Sequence, residues 1–346
     1  MTERPVTVLI SSAGRRNYLV RWFREALDTV SPGSRVVVAD ADPGAPARHE
    51  ASAFERLPSI RHEAYVPTLL GVCGVYGVDL ALSLNDYELS LWSRAETLTA
   101  AGTQFLRLPG HTQTVVEDKL RLAQHLQAHG LLYPPTVTAA SYLADPPAAL
   151  GEAPVVVIKA RYGSGSSGLA IVGAERAERA VHAALEHAHD RTGSPLDSPE
   201  VAAESLVVQP FIAGQEHGVD VVNDLKGEFQ TVLARTKLAM RGGETDRAET
   251  IDPAPFRGTG ARLAHALGHR GLIDSDVIVD DRRQHWVIDI NPRFGGGYPF
   301  NHLAGANVPL AIVRWLLGRH HGDALEYRPD LRAAKYIGIV GVPSDD

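Results

Sequence analysis

The sequence predicts an α/β chain in two parts: a doubly wound, Rossmann-like N-terminal domain, then an α+β region in which hairpins replace crossover units. Three observations carry this expectation. Over residues 1–108, short apolar strand segments alternate with helical ones, the pattern of a parallel sheet covered on both faces. Further on, "PVVVIKA" and "LAIVGA" flank the glycine loop "RYGSGSSG", so a strand follows the loop where a dinucleotide fingerprint would need a helix. Near the end, "IDSDVIVDDRRQHWVIDINPRF" folds back on the polar turn "DDRRQ" as a second hairpin.

The elements follow in order. "PVTVLI" is a buried strand, "SSAGRRN" a loop, "YLVRWFREALDTV" a helix and "RVVVAD" a second strand ending at Asp40. The lone Gly14 leaves two readings open, a small-ligand loop or a structural turn. "VDLALSLND" is a strand ending at Asp86, and "TVVEDKLRLAQHLQAHG" an amphipathic helix closed by Gly130. "ERAERAVHAALEHAH" is helical and "DRTGSPLDSPE" a surface loop. "SLVVQPFIAGQEHGVDVV" reads strand, loop, strand, and "GEFQTVLARTKLAM" is another strand, with Arg241–Glu244 a mobile loop beyond it. "ARLAHALGHRGL" and "VPLAIVRWLLG" are helices, and "KYIGIVGV" a closing strand.

Bulk properties narrow the function. A chain of 346 residues, 44% hydrophobic and 22% charged, has the composition of a folded globule with room for more than one core. A net charge of -7 argues against nucleic acid as partner. Cys73 is the single cysteine, so no intramolecular disulfide forms, which fits a reducing compartment. Its apolar surroundings, "LLGVCGVYGV", mark it as a buried structural thiol. No window is long and apolar enough for a membrane span, and no signal-like segment opens the chain. The expectation is a cytoplasmic protein with no membrane partner.

Two constellations carry chemistry. A glycine loop between antiparallel strands is a flap whose backbone N–H groups can cover phosphates, and Lys159 enters it as a point charge. On the last hairpin, alternation puts Asp289, Asn291 and Arg293 on one face, and the turn brings Asp276 near Asp289. Such hard oxygen donors suit Mg²⁺, leaving its other positions to phosphate and water. Arg293 then stabilises an anionic group in transfer.

At this point the chain resembles the ATP-grasp superfamily, above all the synthetase units of carbamoyl-phosphate synthetase large subunits and their stand-alone relatives. The likeness rests on "EDKL", "VVVIKARYGSGSSG", "VVQPFIAGQEHGVDVV" and "WVIDINPRFGGGYPF", in that order. It implies a Rossmann-like domain at 1–108, a linking helix and lid at 109–206, and a C-terminal subdomain at 207–346. It implies ATP held by Lys119, Lys159, Gly163, Ser164, Gly165 and Ser166, with adenine on Gln209, Pro210, Phe211 and Ile212 and ribose on Glu216. Mg²⁺, or Mn²⁺, falls to Asp276, Asp289 and Asn291. Arg293, Lys159 and Arg235 are implied as catalytic, and Arg15, Asp86, Glu88, Arg235, Arg241, Gly296 and His302 as substrate contacts. Asp289 stands where the family usually has Glu, and "KARYG" where Lys-Pro is common. The implied activity is an ADP-forming carboxylate–amine ligase working through an acyl phosphate on small-molecule acids and amines, amino acids or small peptides among them, as a homodimer. Two alternatives stay open: a carboxylate or bicarbonate kinase of the carbamoyl-phosphate type, and a nucleotide-binding regulatory module without turnover.

Overall fold

In the parallel sheet that opens the chain, successive side chains of one strand serve different cores. The computed structural model describes residues 4–100, 102–146, 148–163, 169–190, 194–196 and 198–341. The sheet contains β1 (Thr7–Ser11), β2 (Arg35–Asp40), β3 (Ala53–Arg56), β4 (Leu80–Ser83) and β5 (Gln104–Leu106), in the order β3-β2-β1-β4-β5. Val8, Ile10, Val36 and Val38 pack with α1 (Asn17–Val30) in one core. Leu9, Val37 and Ala39 pack in another with α2 (Tyr65–Tyr76) and α3 (Asp86–Arg94). Burial on both faces is why these strands are unbroken apolar runs. Cys73 lies buried in the second core, as expected.

One boundary moves. The strand expected to reach Asp86 stops at Ser83, because Asn85 is extended and its side chain accepts hydrogen bonds from the N–H groups of Tyr87 and Glu88. That cap opens α3, so Asp86 and Glu88 lie in a helical first turn, where carboxylates favour the dipole.

The chain continues through α4 (Gly110–Glu117), α5 (Lys119–Ala128), β6 (Val137–Thr138), α6 (Ala139–Ala144), α7 (Ala148–Gly151), β7 (Val155–Ala160), β8 (Ala170–Gly173), α8 (Ala177–Leu185), α9 (Pro199–Ser205) and β9 (Leu206–Pro210). The expected single helix over 114–130 is two, because Asp118 is extended and caps the second through the N–H groups of Leu120 and Arg121. The glycine hairpin holds: β7 and β8 pair antiparallel, Val155 to Gly173 through Ile158 to Ala170. Strand order there is β6-β9-β7-β8. Ser198, with Pro199 as first helical residue, starts α9 at the end of the expected surface loop.

Then come β10 (Gln215–Asn223), β11 (Phe229–Arg241), β12 (Glu244–Ile251), α10 (Arg257–Leu267), β13 (Gly271–Val279), β14 (His285–Asn291), α11 (Tyr298–Leu303), α12 (Val308–Leu316) and β15 (Arg332–Ala334). Their sheet runs β14-β13-β10-β11-β12-β15. Two expectations change. The loop expected at Arg241–Glu244 is a tight hairpin turn on Gly242 and Gly243, both at positive φ. The last strand is Arg332–Ala334, whose residues pair with Arg247–Glu249 of β12, whereas Tyr336, Ile337 and Ile339 of the expected strand are exposed and unpaired.

The chain folds as two units. One contains Met1–Gly110, Gly218–Asp274 and Asn291–Asp346; the other contains His111–His217 and Ser275–Ile290. No helix among the described residues is long and apolar enough to cross a membrane.

Candidate active site

The second unit holds the nucleotide-side residues. Asp118, buried, takes a bidentate ion pair from Arg161, with both N···O distances 2.8 Å. The same turn receives the Lys119 amide on the Arg161 carbonyl at 3.1 Å and the Lys119 ammonium on the Gly163 carbonyl at 2.8 Å. The base of the glycine loop is thus tied to the start of α5, where Asp118 and Tyr162 stand opposite each other in an antiparallel bridge. Ser164, Gly165 and Ser166 lie outside the described residues.

Lys159 is half-buried and has no direct hydrogen bond or ion pair among the described residues. Burial draws its ammonium down to about 8, against the fields of Asp289 and Asp276 and with the repulsion of Lys119 adding to the fall. Two lysines and two carboxylates from α5, β7, β13 and β14 therefore share one electrostatic neighbourhood. Asp276 and Asp289 are both half-buried. Among the described residues no three His, Cys, Asp or Glu gather as a metal cage. Two carboxylates suit a Mg²⁺ that keeps water and phosphate ligands and do not suit an all-protein site.

The backbone expected to face adenine is set by register. Phe211 N–H donates to the Val155 carbonyl at 2.9 Å, extending a ladder in which Val156 faces Pro210. In antiparallel pairing alternate residues turn their polar groups to opposite sides. Pro210 therefore directs its carbonyl away from β7, where its missing N–H costs nothing, and Ile212 follows on the same side. The Ile212 N–H makes no hydrogen bond among the described residues. Gln209 is buried and gives its amide N–H to Thr136 Oγ1 at 2.7 Å. Phe211 is exposed; Glu216 is partly so.

The first unit holds the remaining residues. Arg293 forms a bidentate pair with Asp86 (Nε–Oδ1 2.8 Å, Nη2–Oδ2 2.6 Å) and donates to Asn291 Oδ1 at 3.3 Å. Beside it runs "FGGG", and the glycines are there for room. A β-carbon on Gly295 would fall on the Asp274 carboxylate, and one on Gly297 on the Arg235 guanidinium. Gly218 approaches Arg235 as well, at 2.7 Å from a β-carbon position.

The residue so gripped is fully buried. Arg235 pairs with Asp220 at 2.8 Å and Asp274 at 2.5 Å, and Asn301 donates to Asp220 at 2.7 Å. One guanidinium faces two carboxylates in the dry interior. Burial, reinforced by the charge of Asp274, pushes the Asp220 carboxyl up; Asp274, also buried, is held down by Arg235. Within the protein Arg235 serves these partners, so the expectation that it faces phosphate or substrate finds no exposed guanidinium.

Other expected substrate residues separate likewise. Glu88 is buried, accepting hydrogen bonds from Ser11, Tyr65 and Ser83, so it is a core carboxyl and not a surface contact. His302 stacks on Trp22 (centroids 3.6 Å apart) and bonds Tyr298; burial takes it to about 4, so it is neutral. Arg241 is exposed beside Asp246 at 3.7 Å. Arg15 is exposed, and its neighbour Arg16 turns inward instead, donating to the Phe294 carbonyl at 2.8 Å. Glu244 lies over Gly296, which a β-carbon would bring to 2.8 Å. Tyr18, near Arg16, Glu244, Arg293 and Asp274, is pushed by burial to about 12. The sequence pointed to neither Arg16 nor Tyr18; "GRRN" offered two adjacent arginines with nothing to choose between them.

The fold is α/β, with one antiparallel hairpin at the glycine loop and another bearing Asp276 and Asp289. Residues 202–338 match the family described as ATP-grasp in the biosynthetic pathway with Ter operon, and residues 8–106 match the PylC-like N-terminal domain. The chain is thus similar to ATP-grasp proteins over its C-terminal part. Its fold is that of a biotin carboxylase–β,γ-ATP complex from Campylobacter jejuni (TM-score 0.72, 16% identity, 95% of this chain and 74% of that one). It is likewise similar to N5-carboxyaminoimidazole synthetase from Staphylococcus aureus (0.67, 14%, 94% and 81%). A third similar structure is the L-amino acid ligase from Bacillus licheniformis (0.65, 18%, 95% and 78%). No curated protein sequence matches the chain.

Proposed function

We propose that the protein joins a small-molecule carboxylate to an amine at the expense of ATP, releasing ADP and phosphate through an acyl phosphate, with amino acids or small peptides as the substrate class. The observation that carries this reading is Lys159. It is a desolvated ammonium with no direct partner among the described residues, beside a second phosphate-reaching lysine and two carboxylates of Mg²⁺-binding type. Bound MgATP would supply the phosphoryl group that turns a carboxylate oxygen into a leaving group.

The chain's own residues supply position and charge. Pro210 and Ile212 offer the base an acceptor and a donor. Lys119 and Lys159 neutralise phosphate oxygens, and Asp276, Asp289 and Asn291 would hold the metal. Arg293, fixed in orientation by Asp86, would meet the transferred group, a role in which a fixed guanidinium supports a loose phosphoryl-transfer transition state. No side-chain nucleophile is required.

The experiment is ADP and phosphate release with Mg²⁺-ATP over pools of carboxylates, each with and without amines. Release that needs both an acid and an amine is expected. Release with the acid alone would replace the ligase by a kinase, and tight ATP binding with no release in any pool would replace it by a regulatory module.

A further inference from the structure

Arg16, Glu244 and Lys335 form a cluster that the family roles leave unassigned. Lys335 donates to Glu244 Oε2 at 2.8 Å, and Arg16 reaches Glu244 Oε1 only at 3.5 Å. The Glu244 side chain is 49% exposed and lies over the backbone of Gly296, where a missing side chain leaves room. Arg16 and Arg293 converge on one acceptor, the Phe294 carbonyl, at 2.8 and 3.3 Å. Arg293 has Asp86 as a close bidentate partner, whereas the carboxylate opposite Arg16 is the distant one. Burial alone would raise the Glu244 carboxyl, but Lys335 and Arg16 hold it below the ordinary range, so it is an anion at neutral pH.

The placement of Glu244 is also unusual for a fixed ion pair. It is the first residue after the two-glycine turn of the β11–β12 hairpin, and β11 and β12 slip register twice, between Lys237 and Ala239 and between Ala239 and Met240. Such bulges re-aim the end of a hairpin. A half-exposed carboxylate on such a tip is held weakly by its cations, since solvent screens the pair.

We infer that Arg16 and Lys335 are the binding place for a carboxylate group of a small-molecule substrate, and that Glu244 occupies it in the free protein. An incoming carboxylate replaces Glu244 with no change in the local charge, and the backbone at Gly296 gives it space. This deepens the ligase reading by naming residues that recognise the substrate, and it rests on that reading only for the word substrate.

The test is binding, not turnover. Thermal shift and calorimetry without nucleotide, using the twenty amino acids, acetate and succinate as probes and methylamine as a non-carboxylate control, compare wild type with E244A, R16A and K335A. E244A is expected to bind the responsive carboxylate about tenfold more tightly, and R16A and K335A about tenfold more weakly. R16K and K335R should recover part of the loss, separating a charge contact from a folding defect. Unchanged affinity in E244A, or in R16A and K335A, overturns the inference, as does the absence of carboxylate binding in wild type and E244A alike. If a carboxylate binds as described but no ADP is released with any amine, the inference stands and the ligase reading falls. If ADP release is normal in R16A and K335A, the ligase reading stands and the inference falls.

Discussion

Lys159 and Arg235 are both strand-borne cations, one in each unit, and the fold treats them in opposite ways. Arg235 is sealed: two aspartates take its charge, and Gly218 and Gly297 come close against its guanidinium. Lys159 is desolvated yet has no direct partner among the described residues. A cation whose charge is settled inside the protein holds structure together. One that has lost water and gained no partner is kept for something that binds.

That contrast can be broken most severely at Arg235. R235A leaves two buried aspartates facing each other, and should lose about 3–5 kcal/mol of stability by urea unfolding. An unfolding midpoint equal to wild type would mean the cluster is not structural. K159A should do the reverse, lowering the rate of ADP release by about 10²–10³ while leaving the urea midpoint at or above that of wild type, because a desolvated charge has been removed. Next, G295A and G297A, each bringing a methyl group onto the Asp274–Arg235 cluster, should cost about 1–3 kcal/mol. G242A, at an open turn, should disturb the fold through backbone strain alone.

A pH titration sharpens the same comparison. Lys159 is charged below about 8 and neutral above it, so ADP affinity should fall as pH rises through that value, by about tenfold between pH 7 and pH 9. K159R, charged throughout, should flatten the profile; a fall that persists in K159R would assign the titration elsewhere. The smallest effect belongs to Arg15: R15A should change stability by no more than about 0.5 kcal/mol and leave ADP affinity intact. Any larger effect would restore Arg15 to the site.

The parallel sheet and both hairpins were legible because their signals are local. "RVVVAD" is apolar between its charged ends and is β2 to the residue, and "DDRRQ" can only be a turn. Helix breaks were less legible: "VVEDKLRL" has unbroken periodicity, yet Asp118 spends its carboxylate on a cap and on Arg161, which lies 43 positions away. The same limit governs the site. Lys159 stood out because a strand end beside a glycine loop marks it. Arg235 was misread as ligand-facing because alternation gives a face and says nothing of Asp220 and Asp274 waiting on it. The glycine run after Arg293 has no cause visible in the sequence, because what requires it is crowding by side chains distant along the chain.

The bare stretch of backbone at Pro210 and Ile212 has a last consequence. Read along the chain it presents first an acceptor, fixed by the ladder that ends at Phe211, and then a donor just beyond it. An adenine placed there, as proposed, would answer with an exocyclic amino group beside an unprotonated ring nitrogen. Guanine and hypoxanthine carry an oxo group beside a ring N–H, which sets oxygen against carbonyl and hydrogen against hydrogen. Discrimination among purines would then need no dedicated side chain, and would survive substitution at Gln209 or Phe211 so long as the strand keeps its path.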